Sequence, residues 1–402
     1  MTGVLIHIVN ILEILFVIYL GFAGAYIFIF SLAGKITTPA GFPESEQKRK
    51  FAVLIPGYKE DSVIVDVARE ALRQDYPKDK FDVIVIADSF QPETLEELQK
   101  LPLRVVEVCF KNSTKSKALN RAMECIGDEY DIALILDADN VMNPDVIDKF
   151  NNAFARGYKA IQAHRVAKNT NTSFAVLDAL SEEINNHIFR KGHRALGLSS
   201  ALIGSGMAFD YRFFKQVMSR VRAVGGFDKE LELRLLKDNI RIEYLDNAYV
   251  KDEKVQQKTV FQNQRKRWLS SQFVYFGRFF SEGLFQLFIR GNIDFACKWY
   301  QMIQPPRVLL LGITAVITLI KGGLALSGQM VEPAPALPFS LWLAVFMLVL
   351  LALLLAVPHR FYNKKTLRAL GKLPAGFLSY LKVLFTLKGS NKSFIHTKHG
   401  KK

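Results

Sequence analysis

Two aspartates separated by a single alanine, Asp137 and Asp139, follow directly after the apolar run 132–136. Carboxylate oxygens suit a hard divalent cation such as Mg²⁺, which keeps further positions for phosphate oxygens. The spacing alone is not specific, because Glu230 and Glu232 share it and a carboxylate after a strand is often only a helix N-cap. The two aspartates therefore indicate a metal site only if other polar side chains lie close to them.

Further polar or aromatic residues follow the other apolar runs of this region, and they are Pro56, Tyr58, Glu60, Asp88 and Lys115. Tyr58 suits stacking on a base, and Lys115 suits a phosphate as a point charge. In open parallel sheets, ligands bind outside the carboxyl ends of the strands. We therefore expect all of these residues at one edge of a sheet, where they would bind a diphosphate with the help of a metal.

The elements that position them alternate between short β-branched runs and helical periodicity, which predicts βαβ units and a mostly parallel sheet. Predicted strands are 51–55, 83–87, 103–108 and 132–136, and predicted helices are 61–73, 92–100, 116–125, 144–155 and 173–190. The region has neither a Gly-x-x-x-x-Gly-Lys loop nor a Gly-x-Gly-x-x-Gly motif after its first strand. This argues against a P-loop phosphotransferase and a dinucleotide oxidoreductase.

The second half of the region carries three more motifs. Gly204-Ser-Gly206 allows close backbone approach or forms a plain turn. Gly225-Gly226 opens a helix with an acidic first turn, which the helix dipole also favours, and Glu230 is our candidate for chemistry there. Gln264, Arg267 and Trp268 lie in a basic stretch. Such a stretch is either part of the functional site or a patch that contacts the membrane surface.

The composition excludes two broad classes of protein. Of 402 residues, 50% are hydrophobic, which argues against disorder, and three cysteines (Cys109, Cys125 and Cys297) form no disulfide framework. The net charge of +15 suits an anionic membrane, a phosphate-bearing molecule or nucleic acid. The basic residues cluster beside apolar segments and no recognition motif occurs, so we expect no nucleic-acid partner.

Three segments, 14–34, 308–326 and 337–357, are long and apolar enough to cross a bilayer, which needs about 20 residues. Lysines and arginines follow the first and the last segment, whereas the connector 327–338 has none. By the positive-inside rule, the chain between the first two spans is cytoplasmic. We therefore predict an integral protein of the inner or plasma membrane with an uncleaved N-terminal anchor.

The predicted organisation has five parts: an N-terminal anchor at 1–34, a cytoplasmic α/β domain at 35–270, interfacial amphipathic helices at 271–306, two membrane-spanning helices at 307–358 and a basic cytoplasmic tail with an interfacial helix at 359–402. The interfacial parts mix aromatic and aliphatic residues with basic ones, a pattern typical of helices lying on anionic lipid.

In this order the motifs resemble those of the membrane-integrated family 2 glycosyltransferases, the group with cellulose, chitin and hyaluronan synthases and ceramide glucosyltransferase. The resemblance covers about residues 51–268 and rests on Pro56-Gly-Tyr58-Lys-Glu60, Asp88, Lys115 with Ala118-Leu-Asn120, Asp137-Ala-Asp139, Gly204-Ser-Gly206, Lys229-Glu230-Leu-Glu-Leu and Gln264-x-x-Arg267-Trp268. It implies an α/β domain of the GT-A type, flanked by one N-terminal and two C-terminal transmembrane helices.

The resemblance also implies roles for individual residues. Asp139 with Asp137 would bind Mg²⁺ or Mn²⁺, and Glu230 would be the catalytic base, at the place where the family has a Thr/Glu-Asp pair. Lys59 stands where the family usually has Asn. The nucleotide-sugar would be bound by Pro56, Tyr58, Glu60, Asp88, Lys115, Asp137, Gln264, Arg267 and Trp268.

The implied reaction is inverting transfer from a nucleotide-sugar donor, UDP-linked by resemblance, to a growing polysaccharide. A polymer needs an exit path, so three spans would require a homo-oligomer or an additional export subunit. A lipid acceptor entering from the bilayer needs neither and is the alternative. A non-catalytic membrane scaffold is the remoter alternative.

Overall fold

The computed structural model describes residues 2–38, 41–254, 258–327 and 337–385. Its strands are β1 Phe51–Tyr58, β2 Phe81–Asp88, β3 Arg104–Val108, β4 Ile132–Ile135, β5 Val141–Met142, β6 Ala160–Ala167, β7 Met207–Asp210 and β8 Ile242–Asp252. Its α-helices are α1 Thr2–Ile36, α2 Ile64–Ala71, α3 Pro92–Gln99, α4 Lys115–Ile126, α5 Val146–Phe154, α6 Ser173–Asn185, α7 His193–Ala195, α8 Tyr211–Met218, α9 Phe227–Lys237, α10 Lys258–Arg278, α11 Phe280–Phe288, α12 Ile293–Gln301, α13 Arg307–Leu326, α14 Phe339–Ala356, α15 Lys364–Leu370 and α16 Leu373–Phe385. Short 3₁₀ turns occur at Lys78–Lys80 and His359–Phe361, and a π-helix at Asn186–Gly192.

The eight strands form one mixed sheet in the order β3-β2-β1-β4-β7-β6-β8-β5. The four predicted strands are confirmed as β1 to β4, and they are parallel to one another. β6 and β8 are also parallel, whereas β7 runs antiparallel between β4 and β6. The expected mostly parallel α/β sheet is therefore present, with an antiparallel strand at its centre.

Hydrophobic side chains cover both faces of the sheet. Leu54 and Ile84 point to a core shared with α4, α8 and α9, whereas Val53 and Val85 point to a core shared with α2 and α5. This alternation follows from the two-residue period of a strand, and burial on both faces explains the nearly continuous apolar runs.

Three helices are long and apolar enough to cross a membrane: α1 over residues 7–36, α13 and α14. They pack on one another around Leu20, Ile27, Trp342 and Val349, all of them buried. α1 leads into β1 at its C-terminal end, α13 follows α12, and α14 leads into α15 and α16. This arrangement matches the predicted number and placement of the spans.

Helix α1 packs closely against the segment that follows α6 in the α/β domain. The predicted helix 173–190 ends at Asn185 and continues as the π-helix Asn186–Gly192. A Cβ on Gly192 would lie 2.1 Å from the Phe30 carbonyl oxygen, so only glycine fits there. His193 stacks on Phe30 at 3.9 Å, and His187 contacts the Ser31 carbonyl at 2.8 Å. The two histidines thus hold the anchor against the domain.

The segments predicted to lie on the membrane are helical. Phe285 and Phe288 of α11 and the following Ile289 are exposed, as in helices that lie on a membrane surface, and the interfacial location stays a prediction. In the tail, α16 covers most of the predicted interfacial helix 377–387, and residues 386–402 lie outside the described residues.

Candidate active site

The carboxyl ends of β1 and β2 form one wall of the site. Tyr58 and Asp88 are paired in register, and the Lys59 backbone N–H donates to the Asp88 carbonyl at 3.1 Å. Lys59 and Ser89 both have positive φ, 55° and 60°. Such backbone is rare for residues other than glycine and often occurs at functional sites. It holds Tyr58 half-buried at the opening, with the side chain of Asp88 almost fully buried.

Asp137 and Asp139 follow β4 as the sequence predicts. The Lys115 ammonium, at the first residue of α4, forms an ion pair with Asp137 and donates to the Gly204 carbonyl at 2.7 Å. Lys115 therefore fastens the loop after β3 to the loop before β7. A cation in this position also suits a phosphate group.

Asp139 is held by a polar network behind it. Asn140 Nδ2 donates to Asp139 Oδ1 at 3.1 Å and to Asp252 Oδ1 at 3.0 Å. Ser205 Oγ in turn donates to Asn140 Oδ1 at 2.6 Å. Asn140 and Ser205 are completely buried, so the network fixes the orientation of the Asp139 carboxylate.

The donor set of Asp137 and Asp139 fits a hard divalent cation. Both are oxygen ligands, and a pair of carboxylates leaves room for the phosphate oxygens of a bound nucleotide. Within the described ranges no cluster of three or more His, Cys, Asp or Glu side chains forms a complete metal site. A cation would therefore be shared between the two aspartates and the donor diphosphate.

The structure corrects the placement of Glu230. Its side chain is completely buried and does not line the cavity. Arg234 donates to Glu230 Oε1 at 2.7 Å and Arg278 to Oε2 at 3.0 Å, so both oxygens are bonded. Glu230 therefore ties α9 to α10 instead of facing Asp139.

Asp228, two residues earlier in the same helical turn, faces the cavity instead. Successive helical positions are about 100° apart, so residues 228 and 230 point to nearly opposite sides. A Cβ on Gly204 would lie 3.9 Å from Asp228 Cγ, which places the carboxylate beside the Gly204 carbonyl that Lys115 contacts. Gly226, with φ 67°, turns the chain into α9 and sets this direction.

α10 contributes a further wall of the cavity through Gln264, Arg267 and Trp268. Burial lowers the pKa of Arg267, while the negative charges of Asp137 and Asp228 act in the opposite direction. Arg267 lines the same cavity as both carboxylates. Gln264 and Trp268 line the cavity beside it, and Trp268 stacks against the Arg265 guanidinium, 4.4 Å from the ring centre.

A second group of charged residues, which the sequence analysis did not identify, lines the cavity beyond Asp139. Arg165 donates to Glu182 at 2.8 Å, and Lys254 to Asp252 at 2.6 Å. Burial by itself would raise the pKa of Asp252, but Arg165 and Lys254 lower it below its usual value. Arg165 and Asp252 lie at or near the carboxyl ends of β6 and β8, two strands that the sequence analysis did not predict.

A single cavity of about 520 Å³ joins these walls. We call one part the donor end, defined by Tyr58, Asp88, Lys115, Asp137, Asp139, Asp228 and Arg267. The other part, the membrane end, is defined by Arg190, Gln301, Gln304, Arg307 and Tyr380. All predicted site residues except Glu230 line this cavity, including Pro56, Glu60, Gln264 and Trp268.

Comparisons with known proteins agree with this fold. A model of the glycosyltransferase like family 2 matches residues 48–271. The mannosyltransferase PcManGT from Pyrobaculum calidifontis, solved in complex with GDP-Man and Mn²⁺, superposes with a TM-score of 0.53 at 15% identity, covering 85% of this chain and 97% of that one. At this identity the likeness concerns the fold alone, and it confirms the expected GT-A type.

Two curated relatives match parts of the chain. Poly(ribitol-phosphate) beta-N-acetylglucosaminyltransferase TarS from Staphylococcus aureus is 28% identical over 102 residues, which are 24% of this chain and 18% of the relative. Beta-monoglucosyldiacylglycerol synthase from Trichormus variabilis is 26% identical over 231 residues, 54% of this chain and 47% of the relative. The chain thus matches less than half the length of either relative.

Proposed function

The chain belongs to the family 2 glycosyltransferases, and we propose that it transfers a sugar from a nucleotide-sugar donor to a hydroxyl group of a membrane lipid. The observation that carries this proposal is the continuity of the cavity. Its donor end holds the two aspartates, and its membrane end reaches Arg307, the first residue of a membrane-spanning helix. A lipid head group at the bilayer surface would therefore enter the same space as the donor.

We assign the nucleotide to the wall formed by β1 and β2. Tyr58 offers a ring for base stacking, and Asp88 offers buried acceptor oxygens for base N–H groups. Lys115 pairs with Asp137, and Arg267 lines the same cavity from α10, so we assign both cations to the diphosphate. The motif resemblance favours uridine as the base.

Asp137 and Asp139 would hold a divalent cation, Mg²⁺ or Mn²⁺, which would neutralise the charge that grows on the departing diphosphate. Arg267 and Lys115 act in the same way, because their positive charges are already in place before the bond breaks. Interactions that strengthen as the charge develops accelerate the reaction more than they strengthen donor binding.

We assign the general base to Asp228. In an inverting transfer the acceptor oxygen attacks the anomeric carbon, the bond to the diphosphate breaks, and the hydroxyl proton passes to a carboxylate. Asp228 lines the same cavity as Asp137 and Arg267, and it lies beside Gly204, whose carbonyl accepts from Lys115. Base catalysis of this kind typically contributes about 10²- to 10⁴-fold.

The acceptor is the less constrained half of the proposal. Buried side chains such as Trp342, Leu20 and Val349 fill the space between α1, α13 and α14, which leaves these three helices packed as a solid bundle. A lipid needs no passage through such a bundle, whereas a polymer does. One relative is named as a glucosyldiacylglycerol synthase and another as a poly(ribitol-phosphate) transferase, so a polymer is the second candidate.

The same arrangement favours a cytoplasmic catalytic domain. The domain-facing ends of the spans are followed by lysines and arginines, the distribution typical of the cytoplasmic side. Cysteine accessibility at Cys109 and Cys125, which are both exposed, would test this in intact and permeabilised cells.

The test of function uses the full chain purified in detergent with added membrane lipid. It is supplied with radiolabelled UDP-sugars and GDP-mannose, with Mg²⁺, Mn²⁺ or EDTA. We expect label in the lipid extract, dependent on the divalent cation and on Asp228. Label found only in insoluble polymer would exclude the lipid acceptor, and the absence of transfer and hydrolysis with every donor would exclude the enzyme assignment.

A further inference from the structure

Arg307 lies at the membrane end of the cavity in an unusual electrostatic setting. Its guanidinium donates Nη2 to the carbonyl and hydroxyl oxygens of Ser181, at 3.0 and 3.1 Å, and both partners are neutral. Its Nη1 is buried without a hydrogen-bond partner. Within the described part of the chain, no carboxylate lies within ion-pair distance of Arg307. The Arg307 side chain is half-buried, and one of its nitrogens is fully buried without a partner. An unpaired charged group of this kind is costly, so the arrangement points to a missing anion.

The position of Arg307 in the chain makes the cost larger. It is the first residue of α13, where the helix dipole presents partial positive charge and disfavours a cation. Pro305, Pro306 and Val308 line the cavity with it, so the N-terminal end of α13 opens into the cavity. Backbone N–H groups at such an end are suited to a phosphate. An anion there would be attracted by the helix and by the side chain together.

A second guanidinium faces the same end. Arg190 is 4% exposed and lines the cavity. It donates to the Ala201 carbonyl at 3.2 Å and to Asn186 Oδ1 at 2.9 Å, both neutral, while Glu182 lies farther away at 3.8 Å. Burial lowers the pKa of Arg190, while the negative charge of Glu182 acts in the opposite direction.

We propose that Arg307 and Arg190 bind the phosphate of the acceptor lipid. This inference rests on the proposed lipid acceptor and narrows it to lipids that carry both a phosphate group and a free hydroxyl. The phosphate would lie at the membrane end, against α13 and the π-helix, and the hydroxyl would point toward Asp228. A phosphate at the first turn of a membrane-spanning helix is also at the depth of lipid phosphates.

The test compares three lipids in phosphate-free detergent micelles with the labelled donor that proves active. Phosphatidylglycerol has a phosphate and hydroxyls, diacylglycerol has a hydroxyl only, and phosphatidylethanol has a phosphate without a free hydroxyl. We expect transfer to phosphatidylglycerol to exceed transfer to diacylglycerol about tenfold or more, the range for hydrogen bonds to charged groups. Phosphatidylethanol should compete with phosphatidylglycerol.

The preference should depend on charge at Arg307. Arg307→Gln should make the transfer rates to phosphatidylglycerol and diacylglycerol nearly equal, and Arg307→Lys should restore part of the preference for phosphatidylglycerol. Arg290, which is exposed on the loop after α11, supplies the matched control, and Arg290→Gln should keep the ratio. Phosphatidylethanol should also raise the thermal midpoint of the wild type more than that of Arg307→Gln, a readout independent of transfer.

The outcomes separate the two proposals. Transfer to diacylglycerol at an equal or higher rate, unaffected by Arg307→Gln, would overturn the phosphate inference and leave the lipid acceptor standing. Label that enters only polymer would overturn both. A thermal shift produced equally by inorganic phosphate would assign the two arginines to a free phosphate ion and overturn the lipid assignment.

Discussion

Asp228 and Glu230 lie in one helical turn, but their substitution should have different effects. Changing Asp228 should lower the transfer rate, and changing Glu230 should lower the stability of the fold. Asp228→Asn removes a proton acceptor from the cavity surface and leaves the shape almost intact. If Asp228 is the base, transfer should fall by about 10²- to 10⁴-fold. Each tenfold loss corresponds to about 1.36 kcal/mol, so the activation barrier would rise by about 3 to 5 kcal/mol.

Glu230→Gln should mainly weaken the fold. It removes the charge that Arg234 and Arg278 contact at 2.7 and 3.0 Å. Those arginine side chains are 31% and 44% exposed, so water screens part of the interaction and we expect a cost of about 2 kcal/mol. For a domain of this size, that cost lowers the thermal midpoint by about 4 to 8 °C.

The assay measures the transfer rate per folded molecule and the thermal midpoint of both variants in the same detergent. Asp228→Asn should lose transfer and keep its midpoint, and Glu230→Gln should lower the midpoint and keep most of its transfer below that temperature. The opposite pattern, with Glu230→Gln inactive although folded and Asp228→Asn active, would refute the assignment of the base and restore the sequence-based one.

Three further predictions follow from the described contacts. Asp139→Asn should lower transfer by at least about 100-fold and raise the Mn²⁺ concentration needed for half-maximal rate, as a cation titration would show. Burial alone would lower the pKa of His164, but its neighbouring carboxylates raise it to about 9. The protonated side chain should therefore stabilise the fold by up to about 3 kcal/mol below pH 6.5, and this contribution should be lost as the pH rises through 9. Across that pH range the thermal midpoint of the wild type should fall more steeply than that of His164→Gln. Gly192→Ala, with its Cβ 2.1 Å from the Phe30 carbonyl, should yield little folded protein after extraction, whereas Gly277→Ala, which meets nothing within 4 Å, should extract normally.

The first half of the sheet was readable from the sequence because three of its four strands, β1, β2 and β4, are buried on both faces. Their apolar runs, each followed by polar residues, are what parallel strands beneath two helical layers require. The third strand, β3, lies at the edge of the sheet and carries Arg104 and Glu107. The later strands lack this signal. β7 has only four residues, and β8 mixes apolar, polar and charged residues without a regular period over Ile242–Asp252. Local pattern therefore did not separate either strand from a loop or a helix.

The burial of Glu230 away from the cavity shows a limit of motif reading on helices. Acidic residues at 228, 230 and 232 all fit a favourable first turn, and sequence alone does not say which one faces the ligand. The apolar residues Leu231 and Leu235, both buried, mark the core face of α9 and hold a clue to its rotation. Burial of Glu230 between two arginines depends on α10, which is distant in sequence and whose direction no local pattern specifies.

Helix α6 links the α/β domain to the candidate membrane helices through three contacts between residues that are far apart in the sequence. On α6, Asp178 binds Arg265 of α10, Ser181 binds Arg307 of α13, and Glu183 binds Arg360, which follows α14, at 2.5 Å. Arg265 belongs to α10, Arg307 begins the candidate membrane helix α13, and Arg360 follows the candidate membrane helix α14. Because α6 contacts all three at once, a tilt of the membrane helices would move the membrane end relative to the donor end. The distance from Arg307 to Asp228 is therefore set by packing against α6, and the length of acceptor that reaches the base should be selected by the same contacts.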